Sequence, residues 1–261
     1  MASEEESVTP KKPTNCMCAA MTLADRPDLA EPMRVMPTGF PVFMEQAPMG
    51  WNFACLGTLF PAYQLALLDE EDAVIGYGHS APIPWDGTNE DLPDQGWDDV
   101  MGRAVRAYVA SQPTPAVAAI IIVIHPDHRG RGLSQLVLSA MRDNAKLHGH
   151  ANLVAPVRPT GKASEPETSM DDYARRTRGD GLPADPWLRV HARLGAKMIK
   201  VCPASMTIAG SLHQWRQWTA LPFDRDGMIA VPGALAPVHA SVAHNRGVYV
   251  EPNVWMVHSL R

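Results

Sequence analysis

The sequence predicts an α/β fold with a mixed sheet, and three observations lead to it. Residues 119 to 141, AIIIVIHPDHRGRGLSQLVLSAM, run from a β-branched strand into a glycine-rich turn and then into an amphipathic helix. Ala151 to Val157 is a second short strand after that helix, where a crossover makes it a parallel neighbour of the first. Tyr63 to Leu68 and Ala73 to Ser80 flank the acidic turn Asp69-Glu70-Glu71-Asp72 as an antiparallel hairpin.

Composition sets the outer limits. A chain of 261 residues with 46% hydrophobic content buries a sizeable core, and residues 19 to 261 read as a single domain. A net charge of −5 with no long basic run argues against a nucleic-acid or membrane-surface binder and for a small-molecule enzyme. No stretch approaches the roughly 20 apolar residues that span a bilayer, and MASEEESVTPKK is not signal-like, so a cytoplasmic location is expected. Cys16, Cys18, Cys55 and Cys202 are too few for a disulfide framework and lack the second pair that a zinc site needs. The sequence leaves oligomeric state open.

Taken in order, residues 1 to 18 mix charges and prolines without apolar periodicity and read as a mobile tail. Pro27, Pro32, Pro37, Pro41 and Pro48 permit only short elements up to about residue 60. Gly76 and Gly78 weaken the second hairpin strand. Trp97, Val100, Met101, Ala104, Val105, Tyr108 and Val109 recur at helical spacing, giving an inserted helix from Asp94 to about Ser111 that Pro113 and Pro115 close. Ile120 to Ile124 form a strand buried on both faces, ended by His125-Pro126 because proline has no N–H. Leu133, Leu136, Val137, Ala140 and Met141 share the next helix's apolar face, and Gly149 stops it. Pro156 marks where pairing of the following strand should stop. Residues 159 to 185 are polar and rich in glycine and proline, a lid-like loop. Asp185-Pro186 opens a helix as N-cap and first turn, with Trp187, Val190, His191 and Leu194 on one face and Gly195 at its end. Lys197 to Ile208, Ser211 to Leu221 and Gly247 to His258 then read as strand, helix and strand.

The turn carries the chemistry. Arg129-Gly130-Arg131-Gly132-Leu133-Ser134 places glycines where a backbone must bend or approach a ligand, just before a helix whose first N–H groups lack intrahelical partners. Free donors at the positive end of a helix dipole suit a pyrophosphate. The turn is not a Walker loop, since GxxxxGK with Ser or Thr is absent, nor a dinucleotide fingerprint, since Gln135 stands where the third glycine belongs. Arg-x-x-Gly-x-Ser at Arg129, Gly132 and Ser134 resembles the acyl-coenzyme A signature of the GNAT acyltransferase superfamily, (Gln/Arg)-x-x-Gly-x-(Gly/Ala), with serine in the last small position. The element order from about residue 60 onward is similar too. The resemblance implies the GNAT acyl-CoA N-acyltransferase fold, an α/β architecture whose central sheet is splayed at the CoA site and flanked by helices. It also implies pyrophosphate on the amides of residues 130 to 134 and a thioester carbonyl facing backbone donors around Ile124 and His125. The co-substrate is then acetyl-CoA or another acyl-CoA; no metal is expected, since His125 and His128 straddle a proline turn without a third ligand.

In that superfamily a tyrosine often precedes the Leu-Gly pair, four residues before the glycine, as proton donor to the departing thiolate. His191 stands there, and an imidazole of ordinary pKa, about 6.5, both gives and takes protons near neutrality. PVRPT at 156 to 160, DPWLRVHARLGA at 185 to 196 and YVEPNVWMVH at 249 to 258 resemble the GNAT-like domains that load acyl starters in polyketide assembly lines, and their free-standing relatives. There a threonine and a histidine flank the thioester and a tryptophan is implicated, which maps to Thr160, His191 and Trp51. The sequence does not place that group's active-site arginine. Thr160 reads equally as a turn residue bonding its own backbone. The expected activity is direct acyl transfer to a small-molecule amine. The alternatives are S-acyl transfer to an acyl-carrier protein thiol, with or without malonyl-CoA decarboxylation, and a noncatalytic acyl-CoA sensor.

Overall fold

The computed structural model describes residues 18–48 and 53–261. Their strands form one nine-stranded sheet: β1 (Ala19–Thr22), β2 (Gln64–Leu68), β3 (Val74–Ile83), β4 (Ala116–Ile124), β5 (Asn152–Val157), β6 (Lys197–Gly210), β7 (Gly227–Ile229), β8 (Val238–Ser241) and β9 (Arg246–Ser259). The order is β1-β2-β3-β4-β5-β9-β8-β7, with β6 along the other edge of β9. All pairs are antiparallel except β4 with β5, so the sheet is mixed, as expected.

β4 has apolar residues throughout because it is covered on both faces. Ala116, Ala118 and Ile120 join the core under helices α2 (Phe53–Leu59) and α3 (Gly96–Val109). Val117, Ala119 and Ile124 face the opposite core, built on α4 (Leu133–Leu147) and α6 (Pro186–Arg193). The period of two from Ala116 to Ile120 thus feeds two separate cores, while Val123 further along joins a third with Leu68, Tyr77 and Met33. Gly78 is small for a reason of packing: a Cβ there would lie 2.8 Å from Val137 and Met141 of α4.

Two irregularities shape the centre. The β3–β4 register passes from His79↔Ile121 to Ser80↔Ala119, leaving Ile120 as an extra, bulged residue. β5 pairs with β4 only from Asn152 to Val154, while it follows β9 as far as Val157. The sheet is therefore splayed beyond Ala118 and Val154, and Pro156 lies where β4 has already left.

The hairpin, β4, α4, β5, α6, β6, α7 (Leu212–Thr219) and β9 all stand where the sequence places them, within a few residues. Short elements were not resolved by periodicity: β1, β7, β8, α1 (Ala30–Val35) and α5 (Met170–Ala174). Segment 159–185 contains α5 and is fastened at several points. Lys162 is buried, and its ammonium donates to the carbonyls of Glu165 and Leu235, each at 2.7 Å. Asp185 caps α6 through Trp187 N and Leu188 N and also accepts from Gly161 N and the Tyr173 hydroxyl.

Candidate active site

The splay opens a cavity of about 1610 Å³ that runs from the turn after β4 to the face of α6. Ile124, Arg129, Gly130, Gly132, Leu133, Ser134, Thr160 and His191 all line it, while His125 and Arg131 do not. Trp51 lies outside the described residues.

Gly130 and Gly132 both adopt a φ of +77°, where an L side chain is strained, and a Cβ at either would meet open space. Among the described residues, no N–H from Gly130 to Ser134 has a protein acceptor, and Gln135 N is the first to turn back, to Gly132 O at 3.0 Å. This concave row of donors at a helix start fits a pyrophosphate. Arg129 is already engaged: Nη2 donates to Thr38 O at 2.6 Å and Nε to Ile124 O at 3.3 Å, tying the turn to the segment before it.

The edge of β4 supplies further donors. His125 N donates to Ile75 O at 2.9 Å and so is not available to a thioester carbonyl, which corrects that expectation. Antiparallel alternation from that bond turns the N–H groups of Ile122 and Ile124 away from β3, toward the gap that β5 vacates. The N–H groups of Ile122 and Ile124 thus have no partner on β3, whereas that of His125 does.

At the far end, His191 is 2% exposed, and its Nδ1 lies 2.9 Å from Nε2 of the fully buried His258. Trp187 packs edge-on against its ring at 4.7 Å. Burial, with His258 alongside, pushes the His191 pKa down to about 3, and burial with Arg142 nearby pushes His258 down to about 4. Both imidazoles are neutral at pH 7, so the expected titration of His191 near neutrality is corrected: desolvation outweighs any stabilisation of the cation. Its Nε2 has no protein partner among the described residues. The Thr160 side chain is exposed to the cavity and makes no hydrogen bond among the described residues, so it does not bond its own backbone.

Several cavity residues were missed from sequence: His79, Trp97, Arg158, Glu251 and Asn253. Glu251 is 1% exposed yet well satisfied. It accepts from Arg158 Nε at 2.9 Å, the Tyr249 hydroxyl at 2.7 Å and Asn253 Nδ2 at 3.0 Å. Arg158 Nη2 continues to Gly233 O at 2.6 Å. The partner that compensates the burial of Glu251 is an arginine more than ninety positions earlier, a pairing that local sequence does not show. Asp98, beside this group, has its pKa raised to about 6 by burial and by the Glu251 charge.

The chain is 31% identical to arginine N-acetyltransferase avaD of Aspergillus versicolor, over 92% of this chain and 93% of that protein. The loading GNATL domain of CurA from Lyngbya majuscula has a similar structure, with TM-score 0.59 at 16% identity, covering 95% of this chain and 98% of that one. The GphF GNAT-like decarboxylase in complex with isobutyryl-CoA gives TM-score 0.54 at 15% identity, covering 94% and 99%. No family model matches the chain.

Proposed function

The chain belongs to the GNAT superfamily of acyl-CoA-dependent acyltransferases, and we propose from this that it moves an acetyl or other short acyl group from acyl-CoA directly to an acceptor amine. One observation carries the reading: a single cavity joins the unpartnered amides of residues 130 to 134, the free edge of β4, and the side chains of Thr160 and His191. The amides hold the pyrophosphate, and the β4 edge pairs with the amide groups of the pantetheine arm as an added strand would. Ile122 N–H and Ile124 N–H face the oxyanion that forms when the amine attacks the thioester. When His258 Nε2–H donates to His191 Nδ1, His191 carries its own proton on Nε2 and offers it as a hydrogen bond to the departing sulfur.

Two observations support an amine over the other acceptors. The curated relative is an arginine N-acetyltransferase. In addition, the cavity's Arg158 is neutralised by Glu251, so it is not an unpaired cation awaiting a malonyl carboxylate. A second reading, transfer to a carrier-protein thiol with or without decarboxylation, draws on Thr160 and His191 both lining the cavity. Mass spectrometry separates the two. Incubation with acetyl-CoA and arginine or simple primary amines should give the N-acetyl product and free CoA, while a carrier protein offered acetyl- or malonyl-CoA should stay unloaded. A loaded carrier with no amine product would reverse the assignment, and coenzyme binding without turnover on any acceptor would leave a sensor.

A further inference from the structure

We propose that His79 is the catalytic base, a group lining the cavity whose Nε2 takes the proton from the acceptor nitrogen as the acyl carbon is transferred. The proposal rests on the amine-transfer reading above and adds to it the residue that receives the proton.

The tautomer of His79 follows from its neighbour. Gln64 is fully buried, and its Nε2 donates to the carbonyls of Phe60 at 2.8 Å and Ser80 at 2.9 Å. Carbonyls only accept, so the orientation of the amide is set and Gln64 Oε1 is the acceptor that faces His79 Nδ1 at 2.8 Å. His79 therefore carries its proton on Nδ1, and Nε2 holds a lone pair. That nitrogen has no protein partner among the described residues, and His79 lines the same cavity as Thr160 and His191.

Position supports the role as well. His79 pairs with Ile121, immediately beside the bulge at Ile120, on the strand whose free N–H groups are assigned to the thioester. Bulges re-aim side chains next to reaction centres. The ring sits among Tyr77 at 4.9 Å and Phe53 at 5.4 Å, with Trp97 packed against Phe53. Gln64 of β2, Phe53 of α2 and Tyr77 of its own strand bring no charge to it, and burial lowers its pKa to about 4. It is thus unprotonated throughout the neutral range, and it is a mild base suited to an N–H that has become acidic by bonding to the acyl carbon.

The step balances. The amine nitrogen forms a bond to the acyl carbon, and the C–S bond breaks with its electron pair going to sulfur. The N–H proton passes to His79 Nε2 and from there to solvent, from which the thiolate is finally protonated to give free CoA thiol.

The test compares wild type with His79→Asn, whose amide can still donate to Gln64, using acetyl-CoA with arginine, benzylamine and trifluoroethylamine. Loss of a general base should lower kcat by roughly 10²–10⁴-fold, most for the more basic amines, with acetyl-CoA affinity by calorimetry within twofold of wild type. In His79→Ala, added imidazole should restore part of the lost turnover. If His79→Asn keeps kcat within twofold, the base is not His79, and amine transfer itself stands. If wild type acetylates none of these amines but loads a carrier thiol, the amine reading fails and this assignment falls with it. Should His79→Asn melt well below wild type, the imidazole response of His79→Ala decides alone, and its absence overturns the proposal.

Discussion

At the scale of single residues, the polar side chains of the cavity matter through what would be left alone if each were removed. His191→Ala is expected to cut acyl-transfer turnover at least tenfold while acetyl-CoA affinity changes little, because the amides proposed for the pyrophosphate belong to residues 130 to 134 and not to α6. Turnover equal to wild type in the folded variant would remove His191 from the chemistry. Arg158→Met poses a different question. It strips the cation from Glu251, which is 1% exposed, and a buried charge without its partner costs roughly 3 kcal/mol. Adding Glu251→Gln should recover part of that loss, since the neutral amide can still accept from Tyr249. Urea unfolding of the two single variants and the double variant measures the coupling, and strict additivity would show that the pair contributes nothing.

At the scale of elements, the strand-turn-helix unit around Gly132 is where local sequence and structure agree most fully. Gly132→Ala puts a Cβ at a φ of +77°, a strain of about 1–2 kcal/mol with no clash to add to it. The amides should then rotate out of their row, and calorimetry should show weaker acetyl-CoA binding together with a lower urea midpoint; unchanged affinity would detach the nest from the coenzyme. This unit was legible because the code is local: a β-branched run, a proline stop and glycines before an amphipathic helix all act within a few residues. α6 was legible for the same reason, through Asp185 as N-cap, and Asp185→Ala should cost about 1–2 kcal/mol from the cap alone. Circular dichroism melts would check this. β7 and β8 are three and four residues long, too short for a period of two to stand out, and they exist by pairing with one another and with β9. His79 was illegible for a related reason. GYGHS reads as a weakened strand, and what defines the histidine is Gln64 on the neighbouring strand and a bulge on β4, both set by register rather than by local sequence.

At the scale of the whole molecule, the buried histidines in and beside the cavity tie the proposed activity and acid stability together. His191, His258 and His79 are held at about 3, 4 and 4, whereas each titrates near about 6.5 in the unfolded chain. The unfolded state therefore binds more protons below pH 6.5, so stability present at neutral pH is lost as pH falls from there toward the folded values. For the two fully buried rings the loss at pH 5 is about 2 kcal/mol each, by 1.36 kcal/mol per pKa unit. Asp98 works in the opposite direction. Its folded pKa of about 6 lies above the unfolded value, so it gains relative stability on acidification and offsets about 1 kcal/mol, a figure reduced because the side chain is partly exposed. The net expectation is a lower unfolding free energy, and so a lower urea midpoint, at pH 5 than at pH 7; the two fully buried rings less the Asp98 offset give about 3 kcal/mol, and His79 adds to the loss in the same direction. Asp98→Asn should deepen that fall, because its offset disappears, and His258→Gln should lessen it, because one imidazole no longer has to be kept neutral. A wild-type midpoint that holds steady or rises between pH 7 and pH 5 would mean that these rings are not held neutral in the fold. The lone pair assigned to His79 and the neutral pair assigned to the thioester end would then both lose their physical basis.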